Sequence, residues 1–360
     1  MEKNMRITEN KIIFEYSDMK FVKKFGVNCA TDMVLDYKSV NATPFIYDTD
    51  QLGHFLKLGT KDLFELTKNS DKLYIPLLLK KKNGNYRQIY APNESLKKCQ
   101  YIILNKIISK LPVSKYATAY RKGSTLVQNA FPHVGKRYLL KMDIKDFFGS
   151  ICFEQIYCTA FNTRYYPKQI GLILTELCCK NGFLPQGAPT SPTLSNIVMR
   201  NFDDNIGYWC EKHGISYTRY CDDMTFSSDK PLYTVYQKVK AMLEEMCFEL
   251  NEKKTHFVTN ANRQSVTGLT VNEKVSVSSV YKRFLRQEVY YVLKFGLAEN
   301  IIRANRKDFM TGNIPNIEKY YNNLLGRIAF VLQIEPQNTW FQNALTELKT
   351  SKIIKQERKL

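Results

Sequence analysis

The sequence lacks the cysteine spacings that mark zinc sites and disulfide frameworks. Its nine cysteines are an odd number, and no two of them form a CxxC pair. We therefore expect reduced, mostly buried thiols in a cytosolic protein. The histidines also lack metal-ligand spacing, so we assign none of the four to a metal: His54, His133, His213 and His256.

Long apolar runs are missing as well. No stretch of about 18 apolar residues is present, so we expect no transmembrane helix. The N-terminal sequence MEKNMRITEN contains no apolar signal segment, so we expect a cytoplasmic protein with no membrane partner. Glycine and proline are scarce, at 16 and 12 residues, and hydrophobic residues make up 44% of the chain, which indicates a folded globular protein.

Acidic residues are few compared with basic ones. The chain has 34 Asp and Glu against 53 Lys and Arg, a formal net charge of +19. A surplus of this size favours a polyanionic partner, most simply a nucleic acid. The 23 Tyr and 21 Phe support this interpretation, because aromatic and cationic side chains together suit stacking on bases. A basic protein without such a partner is the alternative on charge alone.

Two of the few acids are adjacent in the segment TRYCDDMTF, residues 218–226. The flanking stretches ISYTRY and MTFSS predict a hairpin with Asp222 and Asp223 at its tight turn, where curvature can bring both carboxylates to one side. Because burying unpaired carboxylates is costly, this placement calls for a compensating cation. An acidic turn in water is the alternative.

A second acidic pair, Asp203 and Asp204, has a different context. It lies in the segment 193–214, which predicts one long helix ended by Gly214. Successive side chains on a helix diverge by about 100°, so we interpret this second pair as part of a solvated helix face.

A third carboxylate, Asp143, ends the apolar strand RYLLKMDI, residues 137–144. Three carboxylates from two neighbouring strand ends can hold two Mg²⁺ ions about 4 Å apart, which would bridge an attacking hydroxyl and a triphosphate. The residues therefore predict in-line phosphoryl transfer, with Asp143, Asp222 and Asp223 as the catalytic carboxylates.

Three segments resemble the reverse-transcriptase family in order and spacing. LKMDIKDFF (140–148) resembles its first catalytic motif, LPQGAPTSPTLSN (184–196) the loop and helix that follow, and YCDD (220–223) the YxDD motif. The resemblance implies an α+β right-hand polymerase with fingers, palm and helical thumb that copies RNA into DNA. It also implies that two Mg²⁺ ions are held by Asp143, Ile144, Asp222 and Asp223.

The same resemblance assigns a nucleotide pocket. YIPLLLKKKNGNYRQIYAP (74–92) reads as the fingers hairpin, with a turn at Asn83-Gly84, and Arg87 would contact the triphosphate of the incoming dNTP. Gln186 would line the pocket. Phe148 would be the aromatic gate that excludes a ribose 2′-OH, and core packing is its alternative.

A lysine near the leaving pyrophosphate completes the pocket. LNEKKT (250–255) resembles the segment of the family that carries this lysine, and Lys254 takes the role, with Lys253 as its neighbouring rival. A solvated lysine with no catalytic role is the alternative.

Two further segments narrow the resemblance to retron reverse transcriptases. NAFPH (129–133) matches their NAxxH signature and VTG (266–268) their downstream VTG signature. Asn129 and His133 lie on one face if the segment is helical, and they would either contact RNA or order the fingers–palm junction through buried hydrogen bonds. We assign the primer grip to Val266, Thr267 and Gly268.

A retron resemblance implies a cognate structured non-coding RNA as partner. DNA synthesis would start from the 2′-OH of an internal guanosine and give a branched RNA–DNA hybrid (msDNA), in antiphage defence with an effector protein encoded alongside. The basic tail 281–307 would grip an RNA stem-loop, and its alternative is an apolar core face with a solvated basic face. The candidate RNA-binding cations are Lys282, Arg283, Arg286, Arg303, Arg306 and Lys307.

Four domains follow from these assignments. They are an N-terminal extension (1–48), fingers with part of the junction to the palm (49–136), a palm (137–278) with an insertion at 165–185, and a basic helical thumb (279–360). Helix N-caps are predicted at Thr49 and Ser95. Two other functions stay open: another bacterial, group II intron-like reverse transcriptase, and an inactive RNA-binding scaffold.

Overall fold

The structure is a computed structural model that describes residues 44–80, 84 and 86–358. The predicted N-terminal extension lies almost wholly outside the described residues, as do Cys29 and all of the fingers turn 81–85 except Gly84. The chain divides into two compact units. The first comprises residues up to Ser124, Lys141–Thr225 and Tyr233–His256, and the second comprises Thr125–Leu140, Phe226–Leu232 and Phe257–Leu360.

The helices and strands alternate along the first two thirds of the chain, as the sequence predicts. Up to residue 228 they are α1 (Thr49–Leu56), α2 (Thr60–Lys68), β1 (Tyr74–Lys80), β2 (Tyr86–Pro92), α3 (Glu94–Lys106), α4 (Leu126–Ala130), β3 (Tyr138–Asp143), α5 (Phe153–Ala160), α6 (Lys168–Glu176), α7 (Ser191–Val198), α8 (Arg200–Lys212), β4 (Ser216–Tyr220) and β5 (Asp223–Ser228).

The C-terminal part of the chain is mainly helical. Its elements are α9 (Tyr233–Glu245), β6 (His256–Thr259), β7 (Ser265–Val266), β8 (Leu269–Thr270), α10 (Ser279–Phe295), α11 (Leu297–Arg303), β9 (Met310–Thr311), β10 (Ile314–Pro315), α12 (Ile317–Ile334), α13 (Thr339–Thr350) and α14 (Lys352–Glu357). The predicted thumb, 279–360, lies within the second unit. The remaining predicted domain boundaries stay a prediction.

A four-stranded sheet with the order β4-β5-β3-β6 carries the candidate catalytic residues. Strands β4 and β5 are neighbours joined only by Cys221 and Asp222, which confirms the predicted hairpin. The side chains of strand β3 do not alternate between buried and exposed, because Leu139, Leu140 and Met142 are all buried. Burial on both faces explains why the sequence of this strand is a nearly continuous apolar run.

The fingers hairpin is also confirmed. Strands β1 and β2 pair antiparallel, with Tyr74 opposite Pro92 and Lys80 opposite Tyr86. Most of β1 is exposed, including Leu77, Leu78 and Leu79.

Both predicted helix caps are wrong by one or two residues. Helix α1 is capped by Asp48, whose carboxylate accepts from the Gln51 backbone N–H. Helix α3 is capped by Asn93, whose side chain accepts from the Leu96 N–H. In both cases an Asx residue stands upstream of the predicted hydroxyl residue and reaches the free N–H groups of the first turn.

The predicted long helix 193–214 is two helices, α7 and α8, separated at Met199. Met199 has ψ near −4°, which interrupts the regular helix. The Ser195 hydroxyl donates to the Pro192 carbonyl, a bond that often bends helices. Gly214, with φ of 68°, follows the end of α8 in the left-handed region that glycine adopts without strain.

The second unit has its own apolar core. Leu285, Val289 and Val292 of α10 are buried together with residues of α12 such as Leu324 and Ile328. Helix α10 therefore buries one apolar face in the core and exposes the opposite face, as the alternative for the basic tail 281–307 predicts.

The cysteines fit the prediction of reduced, mostly buried thiols. Within the described ranges all eight are free, five of them are buried, and Cys158 and Cys247 are exposed. The part of the chain that the structure describes contains no helix with the length and apolar character needed to cross a membrane.

Candidate active site

The turn between β4 and β5 carries two of the three candidate carboxylates. Cys221 adopts the left-handed conformation with φ of 62°, and this sharp turn lets Asp222 and Asp223 follow directly. The backbone N–H of Ile144 donates to the carbonyl of Asp222 over 3.1 Å, so the end of β3 lies beside the turn. Asp143, the residue before Ile144, is 4% exposed.

The three carboxylates influence one another electrostatically. Partial burial, followed by repulsion from the carboxylates of Asp222 and Asp143, raises the pKa of Asp223 to about 6 although the residue keeps an exposed edge. The positive charges of Lys141 and Lys254 act in the opposite direction on this pKa. The predicted meeting of acids from two distant segments is therefore present in the structure.

Lys254 binds the buried carboxylate directly. Its Nζ lies 2.9 and 2.8 Å from the two carboxylate oxygens of Asp143, and these bonds raise the pKa of the lysine. Asn251 adds a second donor, with Nδ2 3.2 Å from Asp143 Oδ1 and its backbone N–H 2.8 Å from the Asp143 carbonyl. Asn251 has no counterpart among the residues selected from the sequence.

These residues fit a hard divalent cation. The donor set consists of carboxylate oxygens, which Mg²⁺ prefers. Burial, and after it the neighbouring carboxylates of Asp222 and Asp143, raise the pKa of Asp223. Within the described residues no three His, Cys, Asp or Glu side chains are already grouped closely enough to hold a metal ion. Ile144 is buried beside the carboxylates, and its predicted role as a carbonyl ligand stays a prediction.

The LPQG loop contacts the fingers strand β2. The Tyr90 N–H donates to the Gln186 carbonyl over 2.6 Å. Gly187 has φ of 118°, and a Cβ there would lie 2.7 Å from the Tyr90 carbonyl oxygen, so this approach requires glycine. Gln186 is therefore bound to β2 at Tyr90, three residues along the strand from Arg87. The side chain of Arg87 is exposed.

Of the two adjacent phenylalanines after Asp143, only one reaches the surface. Phe147 is 2% exposed and contacts Phe248, with ring centroids 6.1 Å apart. Phe148 is half-buried and packs against Phe147 at 5.4 Å between ring centroids. Phe147 is therefore a core residue. Phe148 packs against it and keeps an exposed part, which is compatible with the predicted gate, and the role of Phe148 stays a prediction.

The NAxxH and VTG signatures contact each other inside the second unit. Asn129 Nδ2 donates to Thr267 Oγ1 over 3.3 Å. Thr267 and Gly268, with φ of 46° and 85°, form the tight turn that joins β7 to β8. This contact gives the two short segments a shared structural role in this chain.

The structure does not place Asn129 or His133 where RNA could contact them. Asn129 is 1% exposed and His133 is fully buried. His133 Nδ1 lies 2.7 Å from Ser227 Oγ, and burial lowers the pKa of the histidine to about 3. The buried hydrogen-bonding role, which the sequence left open, fits both residues.

The six candidate RNA-binding cations divide into two groups. Lys282 Nζ is 2.7 Å from Glu335 and Arg306 Nη2 is 3.0 Å from Glu288, so both turn inward to carboxylates. The other four side chains are exposed: Arg283, Arg286, Arg303 and Lys307. Arg286 lies over the rings of Trp340 and Phe341, at 5.6 and 5.4 Å.

Aromatic side chains form an exposed stripe beside these cations on α10. Phe284 is 59% exposed, Tyr290 55%, Tyr291 40% and Phe295 38%. The Phe295 ring stacks on Tyr291 with 6.2 Å between ring centroids, and the Arg303 guanidinium lies 5.0 Å from the Phe295 centroid. We call Phe284, Tyr290, Tyr291 and Phe295 the α10 aromatic stripe.

The interpretation of Asp203 as solvated is wrong. Asp203 is fully buried and accepts hydrogen bonds from Tyr217 and Arg219, whereas Asp204 lies at the surface near Arg200. A signal was present in the sequence, because Asp203 shares its helical face with Ile206 and Cys210 at helical spacing. Tyr120 was also missed: it is half exposed, and its hydroxyl donates to Cys221 Sγ over 3.3 Å.

Carboxylates at a hairpin turn and at the end of an adjacent strand, with a lysine bound to one of them, suit metal-assisted phosphoryl transfer to or from a nucleotide. A family model described as reverse transcriptase (RNA-dependent DNA polymerase) matches residues 79–278, more than half of the chain. The chain therefore belongs to the reverse-transcriptase family.

Curated relatives place the chain among the retron reverse transcriptases. Retron Ec83 reverse transcriptase from Escherichia coli is 31% identical over 272 residues, which span 71% of this chain and 81% of that protein. Retron Mx65 reverse transcriptase from Myxococcus xanthus is 35% identical over 285 residues, which span 73% of this chain and 62% of that protein. Apo telomerase from Candida tropicalis aligns with a TM-score of 0.43 at 10% identity, covering 98% of this chain and 70% of that one.

Family membership confirms the predicted α+β right-hand polymerase fold and the predicted activity. The protein is an RNA-directed DNA polymerase of retron type, with an RNA template and nucleotide substrates.

Proposed function

We propose that this polymerase starts DNA synthesis from the 2′-OH of an internal guanosine in a cognate structured RNA and produces a branched RNA–DNA hybrid, msDNA. The catalytic residues would be Asp143, Asp222 and Asp223. The observation that carries this assignment is the mutual electrostatic influence of these three carboxylates, with Lys254 bound to Asp143.

In this proposal each side chain has a separate task. Asp143, Asp222 and Asp223, with the Ile144 carbonyl, would hold two Mg²⁺ ions. Bound Mg²⁺ would supply Lewis-acid activation of the attacking hydroxyl and neutralise the triphosphate. Lys254, which already carries its proton on an exposed ammonium, would move from Asp143 to the leaving pyrophosphate and donate that proton there.

The remaining pocket residues would choose the nucleotide. The exposed guanidinium of Arg87 would bind the triphosphate through paired hydrogen bonds. The Phe148 ring would occupy the space of a ribose 2′-OH, and Gln186, held by its bond to β2, would line the pocket. Val266, Thr267 and Gly268 would form the primer grip, since their turn is supported from inside by Asn129.

Primer extension with purified protein and its copurified RNA tests the catalytic assignment. Asp222→Asn should lower the rate of primer extension at least about 100-fold. Mutation of a residue that only supports a metal ligand already lowers activity by up to about 100-fold, and loss of the ligand itself should lower it at least as much. Asp204→Asn is the matched control, an exposed aspartate from the other acidic pair, and should leave the rate unchanged. Equal inactivity of the wild type and Asp222→Asn, with RNA still bound, would favour the inactive scaffold.

The priming chemistry has its own readout. Sequencing of the copurified RNA identifies the candidate guanosine, and a 2′-deoxy substitution at that position should abolish product formation. A debranching enzyme should separate the RNA from the DNA of the wild-type product. A linear product that survives the 2′-deoxy substitution would contradict the branched mechanism and favour another bacterial, group II intron-like mode of priming.

We also propose a role in antiphage defence together with an effector protein encoded alongside. This part is supported by the similarity to retron reverse transcriptases. Plaque counts on cells that carry the wild-type locus or the Asp222→Asn locus test it, and equal counts would contradict it.

A further inference from the structure

A fully buried ion pair lies directly behind the catalytic turn. Arg219 has no exposed surface, and its Nε and Nη2 lie 2.8 and 2.6 Å from the two carboxylate oxygens of Asp203, which is also fully buried. The Tyr217 hydroxyl donates to the same carboxylate over 2.7 Å. A two-pronged pair of this kind restricts the guanidinium plane to one orientation.

The remaining donors of this guanidinium point to two functional segments. Nη1 donates to the backbone carbonyl of Cys221 over 2.8 Å. Nη2 also donates to Asn196 Oδ1 over 3.2 Å, and Asn196 in turn donates to the Ala119 carbonyl over 2.8 Å. Asn196 is the last residue of LPQGAPTSPTLSN, so one side chain joins that segment, helix α8 and the YCDD turn.

The turn needs such a support for a physical reason. Cys221 holds a left-handed backbone conformation that a non-glycine residue adopts rarely. The two carboxylates that follow it lie beside the end of β3, since the Ile144 backbone N–H donates to the Asp222 carbonyl over 3.1 Å. The Tyr120 hydroxyl contacts the Cys221 side chain, but only Arg219 binds the Cys221 carbonyl among the side-chain bonds of the described residues.

We propose that Arg219, oriented by Asp203, is a positioning residue that sets the Cys221–Asp222 turn and with it the geometry in which Asp222 and Asp223 accept divalent metal. The inference rests on the metal-binding role proposed above for these aspartates. Arg219 itself touches neither substrate nor metal. Its effect is exerted through one backbone carbonyl, so it should change metal affinity more than nucleotide or RNA affinity.

Arg219→Lys tests the proposal, because lysine keeps the charge and loses the fork that reaches Asp203 and Cys221 together. Mn²⁺ binding is measured by the paramagnetic resonance signal of the free ion, and primer extension is measured against Mg²⁺ concentration. Residues behind metal ligands usually change metal affinity by about tenfold or more. We therefore expect about tenfold weaker Mn²⁺ binding and a similar rise in the Mg²⁺ needed for half-maximal rate, with unchanged KM for dNTP.

Two controls separate positioning from general damage. Arg200→Lys is the same substitution at a half-exposed arginine of α8 and should leave metal binding unchanged. Tyr217→Phe removes one bond to Asp203 but keeps every bond of Arg219, so it should lower Tm while metal affinity stays within about twofold.

A milder variant covers the case in which Arg219→Lys fails to fold. Asn196→Ala removes one acceptor of the guanidinium and should weaken Mn²⁺ binding in the same direction by a smaller factor. Wild-type Mn²⁺ affinity in whichever of the two variants folds would overturn the proposal. If Asp222→Asn also bound Mn²⁺ like the wild type, the assigned metal site would be wrong instead, so the two failures are distinguishable.

Discussion

The two units of the molecule differ in how far the charges of their functional or buried carboxylates are neutralised by neighbouring cations. In the first unit Asp143, Asp222 and Asp223 remain close enough to repel, and the pKa of Asp223 rises to about 6. In the second unit Glu288 is bound by Arg306 and Arg327, and Glu335 by Lys282. Under the proposed function, the first group of carboxylates would be available to a metal ion, whereas the neutralised carboxylates of the second unit stabilise contacts between its helices.

The Asp203–Arg219 pair shows that a neutralised carboxylate also occurs in the first unit, next to the turn that carries Asp222 and Asp223. Like the Glu288 cluster, it combines a buried carboxylate with an arginine and a tyrosine hydroxyl. The difference is that Arg219 also donates to the Cys221 carbonyl in the YCDD turn. In the second unit the Tyr320 hydroxyl lies within hydrogen-bonding distance of both Glu288 and Asn300.

Removing Glu288, which is bound by both Arg306 and Arg327, should have the largest effect on the free energy of unfolding. Glu288→Ala leaves two partly buried arginines, Arg306 and Arg327, without their carboxylate, and loss of one partner of a buried pair costs up to about 3–5 kcal/mol. Denaturant unfolding of the full chain measures this loss. Glu299→Ala, which removes an exposed carboxylate paired with Arg303, should cost about 0–1 kcal/mol. Similar losses for both variants would contradict the comparison.

The α10 aromatic stripe should contribute an intermediate effect, on RNA affinity rather than stability. Tyr290→Ala should weaken binding of the cognate RNA by about 1–3 kcal/mol, the usual contribution of one stacked base. Filter binding at fixed salt measures it. The matched control is Tyr233→Ala, because Tyr233 is equally exposed, at 60%, but lies in the first unit. An equal loss in the control would show that the stripe has no special role.

The smallest effect concerns pH and has opposite signs at His133 and Asp223. The pKa of His133 is lowered from 6.5 to about 3 by burial, so the unfolded chain binds more protons between these values and stability falls as pH falls through this range. The pKa of Asp223 is raised from 3.8 to about 6, so its contribution to stability becomes more favourable as pH falls below 6. Each slope is at most about 1.4 kcal/mol per pH unit.

Unfolding midpoints of metal-free protein between pH 7 and 5 separate the two contributions. His133→Asn, which can keep a bond to Ser227, should lessen the loss of stability on acidification, and Asp223→Asn should increase it. His213→Asn, a change at an exposed histidine, should leave the pH profile as in the wild type. Profiles that do not diverge would contradict the burial of His133.

The structural features that were predicted correctly are those set by local sequence. Asp222 and Asp223 follow a tight turn because two strand-forming stretches flank them closely. The catalytic roles of these aspartates and of Lys254 stay predictions. Asp203 was misinterpreted because its partner Arg219 lies on a different element, β4, and no local pattern joins them. The Asn129–Thr267 bond was likewise hidden, since it joins residues 138 positions apart.

The sequence by itself determined the kind of chemistry, because the carboxylates, the basic surplus and the spacing of the motifs are properties of residue order. It also determined the alternation of strands and helices, since hydrophobic periodicity is a local signal. Only the tertiary structure decided which charges are buried and which face solvent. Lys282 and Arg306 turn inward while Arg283 and Arg303 stay exposed, because burial of a charge depends on whether another element brings a carboxylate to it.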